Sequence, residues 1–153
     1  MAQLALRPHP EGGWYRELFR SADPVSPRDG RGLRSALTSI DFVLAAGEFS
    51  AWHRVRSDEA WHLLEGGPLR LWLMPPSLDA LSSVDLAAGD ARLGARHVVP
   101  ARWWQAAEPL AEFAYVGATV GPGFEFADFE FMRAHPASRA ALERLQPALT
   151  RLV

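Results

Sequence analysis

The sequence predicts a single all-β domain of sandwich or jelly-roll barrel type, followed by a short C-terminal helix. The 153 residues include 12 glycines and 12 prolines, which divide the chain into short segments rich in aromatic and aliphatic residues. Such segments, separated by turn residues, are typical of strands in sandwiches and barrels. A chain of this length can bury one hydrophobic core without disulfides or structural metals. We therefore expect one domain over residues 1–153, with the barrel at about 6–132.

Eight segments are predicted to be strands because each is short, apolar and bounded by turn residues. They are residues 14–19, 36–44, 49–55, 59–65, 69–74, 96–99, 103–107 and 113–120. Residues 124–131 alternate phenylalanine with acidic residues, which predicts a further strand with Asp128 on its charged face. Residues 137–146 are predicted to be helical, because strong helix formers follow Pro136 and Pro147 ends the segment.

The composition excludes several classes of protein. All 16 basic residues are arginine, and the chain contains no lysine, cysteine or asparagine. It therefore lacks the side chains for a lysine Schiff base, a thiolate nucleophile or a cysteine-ligated metal. The formal net charge is −2 with both signs mixed along the chain, so we expect no nucleic-acid and no membrane partner. No apolar run approaches about 18 residues and no signal peptide is visible, which predicts a cytoplasmic location.

The first functional motif begins at Gly47. Five residues separate Gly47 from His53, one residue separates His53 from Val55, and Glu59 and Gly66 follow after three and six further residues. Side chains two positions apart share a face of a strand, so those of residues 53 and 55 point the same way.

The second motif begins at Gly94, and 27 residues separate it from Gly66, the last residue of the first motif. Five residues separate Gly94 from Pro100, and Arg102 and Gln105 come after one and two further residues. The chain also carries stretches that extend the pattern beyond the two motifs, at residues 8–17, 50–54, 58–62, 99–106 and 122–130.

In these motifs and stretches the chain resembles the cupin superfamily, and within it the branch of small microbial cupins of unassigned function. The resemblance implies a double-stranded β-helix, or jelly-roll barrel, with a usable interior. In the family pattern a second histidine takes the place of Val55 and a third takes the place of Gln105. Together with His53 and Glu59 those histidines hold a metal in the family, whereas here one is replaced by an apolar side chain and the other by an amide.

Two interpretations of His53, Glu59 and Gln105 stay open. They are the three protein ligands of a divalent metal, zinc, iron, nickel or manganese, or they form a hydrogen-bonded cluster that orients an organic ligand. The metal interpretation has few strong ligands, since catalytic zinc and non-haem iron sites generally use at least two histidines. A carboxylate inside a barrel lined by Trp and Leu must be hydrogen-bonded, paired, or kept protonated by a raised pKa.

Four further residues are candidates for ligand binding or catalysis. Trp61 shares a face with Glu59, whereas His62 points the other way unless a bulge intervenes. Arg54 is a candidate for binding a carboxylate or phosphate at the mouth of the barrel. Tyr115 is a candidate general acid, as in the nucleotide-sugar epimerases of the superfamily. His9 lies between two prolines, and we expect it to be solvated.

The function expected from these residues is binding of a small sugar-like compound or organic acid. If the protein is an enzyme, isomerisation or epimerisation with His53, Glu59 and Tyr115 as catalytic residues fits best. The alternatives are a metal-dependent oxygenase and a non-catalytic ligand-binding or sensor protein. By analogy with cupins we also expect a homodimer, with residues 14–19 as the candidate contact segment.

Overall fold

The computed structural model describes residues 5–89 and 93–153 and confirms the all-β jelly roll with a C-terminal helix. In this part of the chain the strands are β1 (Arg7–Pro8), β2 (Trp14–Arg20), β3 (Pro24–Val25), β4 (Arg34–Ser35), β5 (Thr38–Ala45), β6 (Ser50–Val55), β7 (Asp58–Gly66), β8 (Leu69–Met74), β9 (Ser82–Leu86), β10 (Arg96–Val99), β11 (Trp104–Pro109), β12 (Phe113–Gly121) and β13 (Phe129–Phe131). The helix α1 spans Pro136–Leu145, and short 3₁₀ segments lie at Phe126–Asp128, Met132–Ala134 and Pro147–Leu152.

Two antiparallel sheets form the walls of the barrel. The six-stranded sheet has the order β1-β2-β5-β12-β7-β10, and the five-stranded sheet has the order β13-β6-β11-β8-β9. The chain passes from the five-stranded to the six-stranded sheet at the turn between β6 and β7. The first motif therefore spans both walls, because His53 lies on β6 and Glu59 on β7. Gln105 of the second motif lies on β11, next to β6 in the five-stranded sheet.

The apolar residues divide into two clusters with different roles. Phe42, Trp61 and Leu63 of the six-stranded sheet pack with Leu71 and Leu73 of the five-stranded sheet and fill one end of the space between the sheets. The second cluster joins the five-stranded sheet to the C-terminal segment. It contains Trp52, Met74, Trp104, Met132, Leu142, Leu149 and Leu152. Alternation along β6 and β11 thus sends one set of side chains under the helix and leaves the other for the interior.

The eight predicted strands are all present, with ends shifted by up to two residues. The sequence did not predict β9, whose serines and aspartate lack the usual strand composition. The predicted strand at 124–131 is wrong in its first half, because a 3₁₀ turn at Phe126–Asp128 interrupts it. Asp128 is also not on a solvated charged face, since its side chain is buried against Arg34 and Arg31.

No helix in the described part of the chain is long and apolar enough to cross a membrane.

The buried Asp128 cluster generates a prediction about stability. Arg34 donates from Nε and a terminal nitrogen to the two Asp128 carboxylate oxygens at 2.7 and 2.9 Å, and Arg31 approaches at 3.2 Å. Removal of the carboxylate leaves Arg34 without its anionic partner, whereas Arg31 keeps Asp29 at 3.3 Å, so Asp128→Ala is expected to lower the free energy of unfolding by on the order of 1 kcal/mol. Urea unfolding at neutral pH measures this change. Asp23→Ala, which removes an exposed carboxylate, is the control and is expected to leave stability unchanged.

The same cluster has a pH dependence with a defined sign. The hydrogen bonds and charge of Arg34 hold the pKa of Asp128 below its usual range. The stabilisation is therefore present above the ordinary aspartate pKa and is lost as the pH falls through the lowered value. Acid unfolding of Asp128→Ala should show a smaller loss of stability in this range than the native chain. An identical acid profile for the two proteins would contradict the prediction.

Candidate functional site

A cavity of about 200 Å³ lies between the two sheets. Glu11, His53 and Glu59 line it, and all three are at most 8% exposed. Phenylalanine, tyrosine and tryptophan rings cover much of the remaining wall, and Phe126 lies among the lining residues with more than half of its surface exposed. The cavity therefore combines a buried polar inner wall with aromatic surroundings, the usual composition of a small-molecule site.

The position and tautomer of His53 follow from β6. Its alternation with Trp52 turns the imidazole toward the cavity and the indole toward the C-terminal helix. His53 Nδ1 lies 2.8 Å from the carbonyl oxygen of Ala51, and because a carbonyl only accepts, Nδ1 carries the proton. Nε2 is then the unprotonated nitrogen of the neutral ring and lies 3.4 Å from a carboxyl oxygen of Glu11. Phe129 stacks on the ring at 5.1 Å.

Gln105 joins the two sheets behind the cavity wall. Its amide nitrogen donates to Glu59 Oε2 at 2.5 Å, and its amide oxygen accepts from Trp61 Nε1 at 3.0 Å. Glu59 and Trp61 are two positions apart on β7, so they share the inner face of that strand. Gln105 itself is 1% exposed and is not among the residues that line the cavity. It therefore positions Glu59 and Trp61 rather than contacting a ligand.

Glu11 enters the cavity from the turn between β1 and β2. Ser50 Oγ donates to Glu11 Oε1 at 2.8 Å, and the Ala51 amide donates to the Glu11 carbonyl at 2.7 Å, which fixes the turn to β6. Gly12 has a φ of +109°, and a Cβ there would lie 2.1 Å from the Phe49 carbonyl oxygen. Only glycine allows the turn to approach β6 this closely, so the acidic residue before it is directed inward.

His9 precedes the same turn, and the expectation that it is solvated is wrong. Its side chain is 6% exposed and lines the cavity, with Nδ1 3.6 Å from Glu11 Oε2. The ring packs edge-on against Tyr15 at 4.5 Å and against Phe42 at 5.8 Å. The flanking prolines thus place an imidazole inside the aromatic wall instead of in solvent.

Burial shifts the titration of all four inner groups away from the charged form. It raises the pKa of Glu59 to about 7, with the Glu11 carboxyl raising it further and the His53 imidazole and Gln105 hydrogen bond opposing the change. It also raises the pKa of Glu11, against the opposing effects of His9 and Ser50. The pKa values of His53 and His9 are lowered by burial. The Glu59 carboxyl group therefore titrates near neutral pH, where it can both accept and donate a proton.

The predicted metal set does not fit a metal centre. The Gln105 oxygen, the atom with which an amide would bind a metal, already accepts the Trp61 N–H, and the Gln105 N–H group holds the carboxylate of Glu59. Among residues 5–89 and 93–153 no group of three His, Cys, Asp or Glu side chains is placed to hold a metal ion. The observed contacts agree with the alternative interpretation, a hydrogen-bonded cluster.

Three of the other predicted site residues lie elsewhere. Arg54 points away from the cavity on β6, where it donates to Glu130 at 2.6 Å. His62 lies on the outer face of β7, because regular pleating places it opposite its neighbours in the cavity. Tyr115 is on the outer face of β12 and donates to Asp41 at 3.0 Å. None of these three lines the cavity, so we assign them no contact with its ligand.

Glu11 and His9 are two buried cavity residues that the sequence did not predict. Both residues lie outside the two spaced motifs. The local sequence feature that indicates a special backbone conformation there is the adjacent pair Gly12 and Gly13. Two consecutive glycines indicate a tight turn with close backbone approach, but they do not show which strand the turn approaches. The contact with β6 is long-range and depends on the closed barrel.

The comparisons with known proteins identify a family. A family model described as "Cupin superfamily (DUF985)" matches residues 1–132. A structure of a hypothetical protein from Leishmania major is 29% identical, with a TM-score of 0.79, and the match covers 94% of each chain. A protein from Shewanella oneidensis is 31% identical, with a TM-score of 0.79, over 98% of this chain and 89% of that one. A comparison with curated proteins gave no match.

A more distant likeness concerns the fold alone. Oxalate decarboxylase from Lactobacillus farciminis, in a formate complex, is 19% identical with a TM-score of 0.61. The match covers 99% of this chain and 42% of the decarboxylase, so this chain spans less than half of that enzyme.

The raised pKa of Glu59 generates a prediction about pH and stability. A carboxyl group whose pKa is raised by folding stabilises the native state below its unfolded value, and that contribution is lost as the pH rises toward about 7. Glu59→Gln cannot ionise and retains an oxygen that accepts from Gln105. We expect the variant to be more stable than the native chain at about pH 8 and to differ less at about pH 5, measured by urea unfolding. Glu65→Gln, at an exposed position on the same strand, is the control; an equal response of both variants would contradict the prediction.

Restoring the family's histidines generates a prediction about metal binding. Val55 lines the cavity on the same face of β6 as His53, and Gln105 pairs with His53 across the sheet. The double variant Val55→His with Gln105→His therefore adds two imidazoles beside His53 and Glu59 and frees Glu59 from the amide. We expect it to bind one manganese or zinc ion per chain in calorimetric titrations, with at least about tenfold higher affinity than the native chain.

The matched control for that experiment is Arg54→His, which places a histidine on the outer side of the same strand. Equal metal affinity of the native chain and the double variant would show that the Gln105 hydrogen bonds do not decide metal binding.

Proposed function

This chain belongs to the DUF985 family of the cupin superfamily, and from that premise we propose that its barrel cavity binds a small polar organic molecule. The observation that carries the proposal is the cavity between the sheets, with Glu11, His53 and Glu59 on its inner wall and aromatic rings around them. Its volume of about 200 Å³ is below the range of ~300–1,000 Å³ typical of drug-sized ligands, which favours a compact ligand.

The proposal extends to proton transfer by Glu59. A pKa of about 7 allows this carboxyl group both to accept and to donate a proton near neutral pH. In an isomerisation or epimerisation, the carboxylate takes a proton from a carbon next to a carbonyl group, and the electron pair of the broken C–H bond forms an enediolate. A proton returned to the other face of the same carbon gives the epimer. A proton returned to the neighbouring carbon gives the isomer when the hydroxyl proton of the enediolate also moves from one oxygen to the other, so both reactions balance without an oxidant. His53 Nε2 and Glu11 are the further acid–base groups on the inner wall.

Of the two expected ligand classes, a sugar-like compound is favoured over an organic acid. Glu11 and Glu59 are acceptors for hydroxyl or amine donors, whereas a ligand carboxylate placed beside them would meet like charge as they ionise. Arg54, the residue expected to bind an acid, points away from the cavity. Of the two arginines that line it, Arg20 pairs with Glu17 and Glu125, and Arg7 lies over the Tyr15 ring. The hydroxyl groups of a sugar-like ligand would also satisfy the lone pair of His53 Nε2.

Non-catalytic binding is the alternative that an experiment must separate from turnover. The metal-dependent oxygenase is not proposed, because the amide oxygen required as a ligand is already hydrogen-bonded to Trp61. Both remaining functions use the same cavity and differ in whether Glu59 exchanges a proton with carbon.

The test combines binding with isotope exchange. A panel of monosaccharides and amino sugars is screened for an increase in melting temperature, and each ligand found is incubated with the protein in deuterium oxide. Incorporation of deuterium at carbon, detected by proton NMR, is expected for the native chain, with Glu59→Gln binding the ligand but losing at least about 100-fold in exchange rate. Binding without exchange would contradict proton transfer and support a non-catalytic ligand-binding or sensor protein. Absence of any binding would contradict the proposed ligand-binding function.

We also propose that the protein is a cytoplasmic homodimer. Leu18 and Phe19 of β2 are 61% and 52% exposed, and their position in the expected contact segment supports burial against a second copy. Light scattering is expected to give twice the chain mass, with Leu18→Arg shifting the equilibrium toward monomer. Monomer at all concentrations tested would contradict the dimer.

A further inference from the structure

The acidic side chains of the cavity are not matched by basic ones. Four glutamates and two arginines line it. One of these arginines, Arg20, is held by Glu17 at 2.8 Å and Glu125 at 2.9 Å. Among the described residues, no arginine lies within ion-pair distance of Glu11 or Glu59. The imidazoles of His9 and His53 lie 3.6 and 3.4 Å from a carboxyl oxygen of Glu11.

With this arrangement, a ligand can supply the positive charge that would balance an ionised Glu11 or Glu59. Ionisation of a buried carboxyl group is costly unless a cation or several donors accompany it. Glu59 receives a hydrogen bond from neutral Gln105, and Glu11 receives one from the Ser50 hydroxyl. A positively charged ligand group would favour the carboxylate form of both, whereas an uncharged ligand would leave the cost of ionisation in place.

The walls of the cavity favour the same kind of ligand. Aromatic faces attract cations, and they do so most strongly where water is excluded. Phe42, Trp61 and Phe129 line the cavity. Tyr15 also lines it, and the guanidinium of Arg7 already lies over its ring at 4.7 Å, which shows a cation on one of these aromatic faces. His9 shows that a nitrogen-containing ring fits among these faces, since it packs against Tyr15 and Phe42 within 3.6 Å of the Glu11 carboxyl oxygen.

We propose that the ligand of this cavity is a small organic cation, a quaternary or protonated amine, whose charged group lies between the carboxyl groups of Glu11 and Glu59 and the surrounding aromatic rings. The inference rests on the proposed ligand-binding function and names the chemical class of its ligand. An amine on a sugar-like framework satisfies both proposals, and so does a simple alkylammonium compound that fits the small volume.

The experiment compares two probes of the same shape. Choline carries a quaternary nitrogen. In its neutral analogue 3,3-dimethylbutan-1-ol, called dimethylbutanol below, a carbon atom replaces that nitrogen, so the two probes differ by one charge. Isothermal titration of the native chain is expected to show choline binding at least about tenfold more tightly than dimethylbutanol. Glu59→Gln and Glu11→Gln are each expected to bring the affinities for the two probes to within about twofold of each other, because each removes a carboxyl group from the inner wall. Glu65→Gln, the control on β7, should retain the preference for choline.

The outcomes separate this inference from the proposed function. Equal affinity for the two probes, or binding of neutral sugars without binding of choline, would contradict the proposal that the ligand is a cation. The proposed binding of a small polar molecule would not be affected. A preference for choline that persists in both glutamine variants would also overturn the proposed position of the charge. Failure of every probe and every sugar to bind would refute the proposed function together with the inference. The melting temperature of each variant shows that it is folded.

Discussion

The hydrogen bonds of the Gln105 side chain link the two sheets at the point on which the cavity depends. The amide lies on the five-stranded sheet, and both partners, Glu59 and Trp61, lie on the six-stranded sheet. Two buried polar groups, the Glu59 carboxyl group and the Trp61 N–H group, are satisfied by this one side chain, and each would carry a desolvation cost if it were left without a partner. The bridge therefore sets the positions of the acidic group and of one aromatic wall together.

The same bridge decides what kind of chemistry the cavity can perform. The Gln105 amide presents its nitrogen, which cannot bind a metal, to the Glu59 carboxyl group, and its oxygen faces the Trp61 indole. The Gln105 amide is an uncharged donor, so its hydrogen bond offsets only part of the cost of burying the ionised Glu59 carboxyl group. Burial therefore keeps the pKa of this group near 7. The free energy of ionising Glu59 is then the quantity that a ligand changes on binding. The proposed proton transfer and the proposed recognition of a cationic ligand both rest on that property.

A second constraint comes from the turn at Gly12, which directs Glu11 against β6. The turn brings a carboxyl group within 3.4 Å of His53 Nε2, although the two residues are far apart in the chain. Glu11 and Glu59 act on each other through charge, since the Glu11 carboxyl raises the pKa of Glu59. The inner wall is thus a coupled set of acids and imidazoles, in which the change of one group alters the titration of the others.

Strand alternation explains which site predictions could be made from sequence. The period of two correctly placed His53 and Val55 on one face, and Glu59 and Trp61 on another, because pleating is a local property of each strand. The same rule indicates that His62 points outward, and the structure agrees. Tyr115 and Arg54 were selected for their chemistry rather than for their face, and the structure places both on outer surfaces.

The sequence by itself determined the all-β jelly roll, the positions of the eight longer apolar strands and the residues His53 and Glu59 that face the interior. These properties follow from local composition, turn residues and spacing, which act over a few residues. Only the tertiary structure decided that Glu11 and His9 complete the cavity, that Gln105 bridges the sheets behind it, and that Asp128 is buried with two arginines. Each of these depends on contacts between segments distant in the chain, and such contacts exist only once the two sheets have closed on each other.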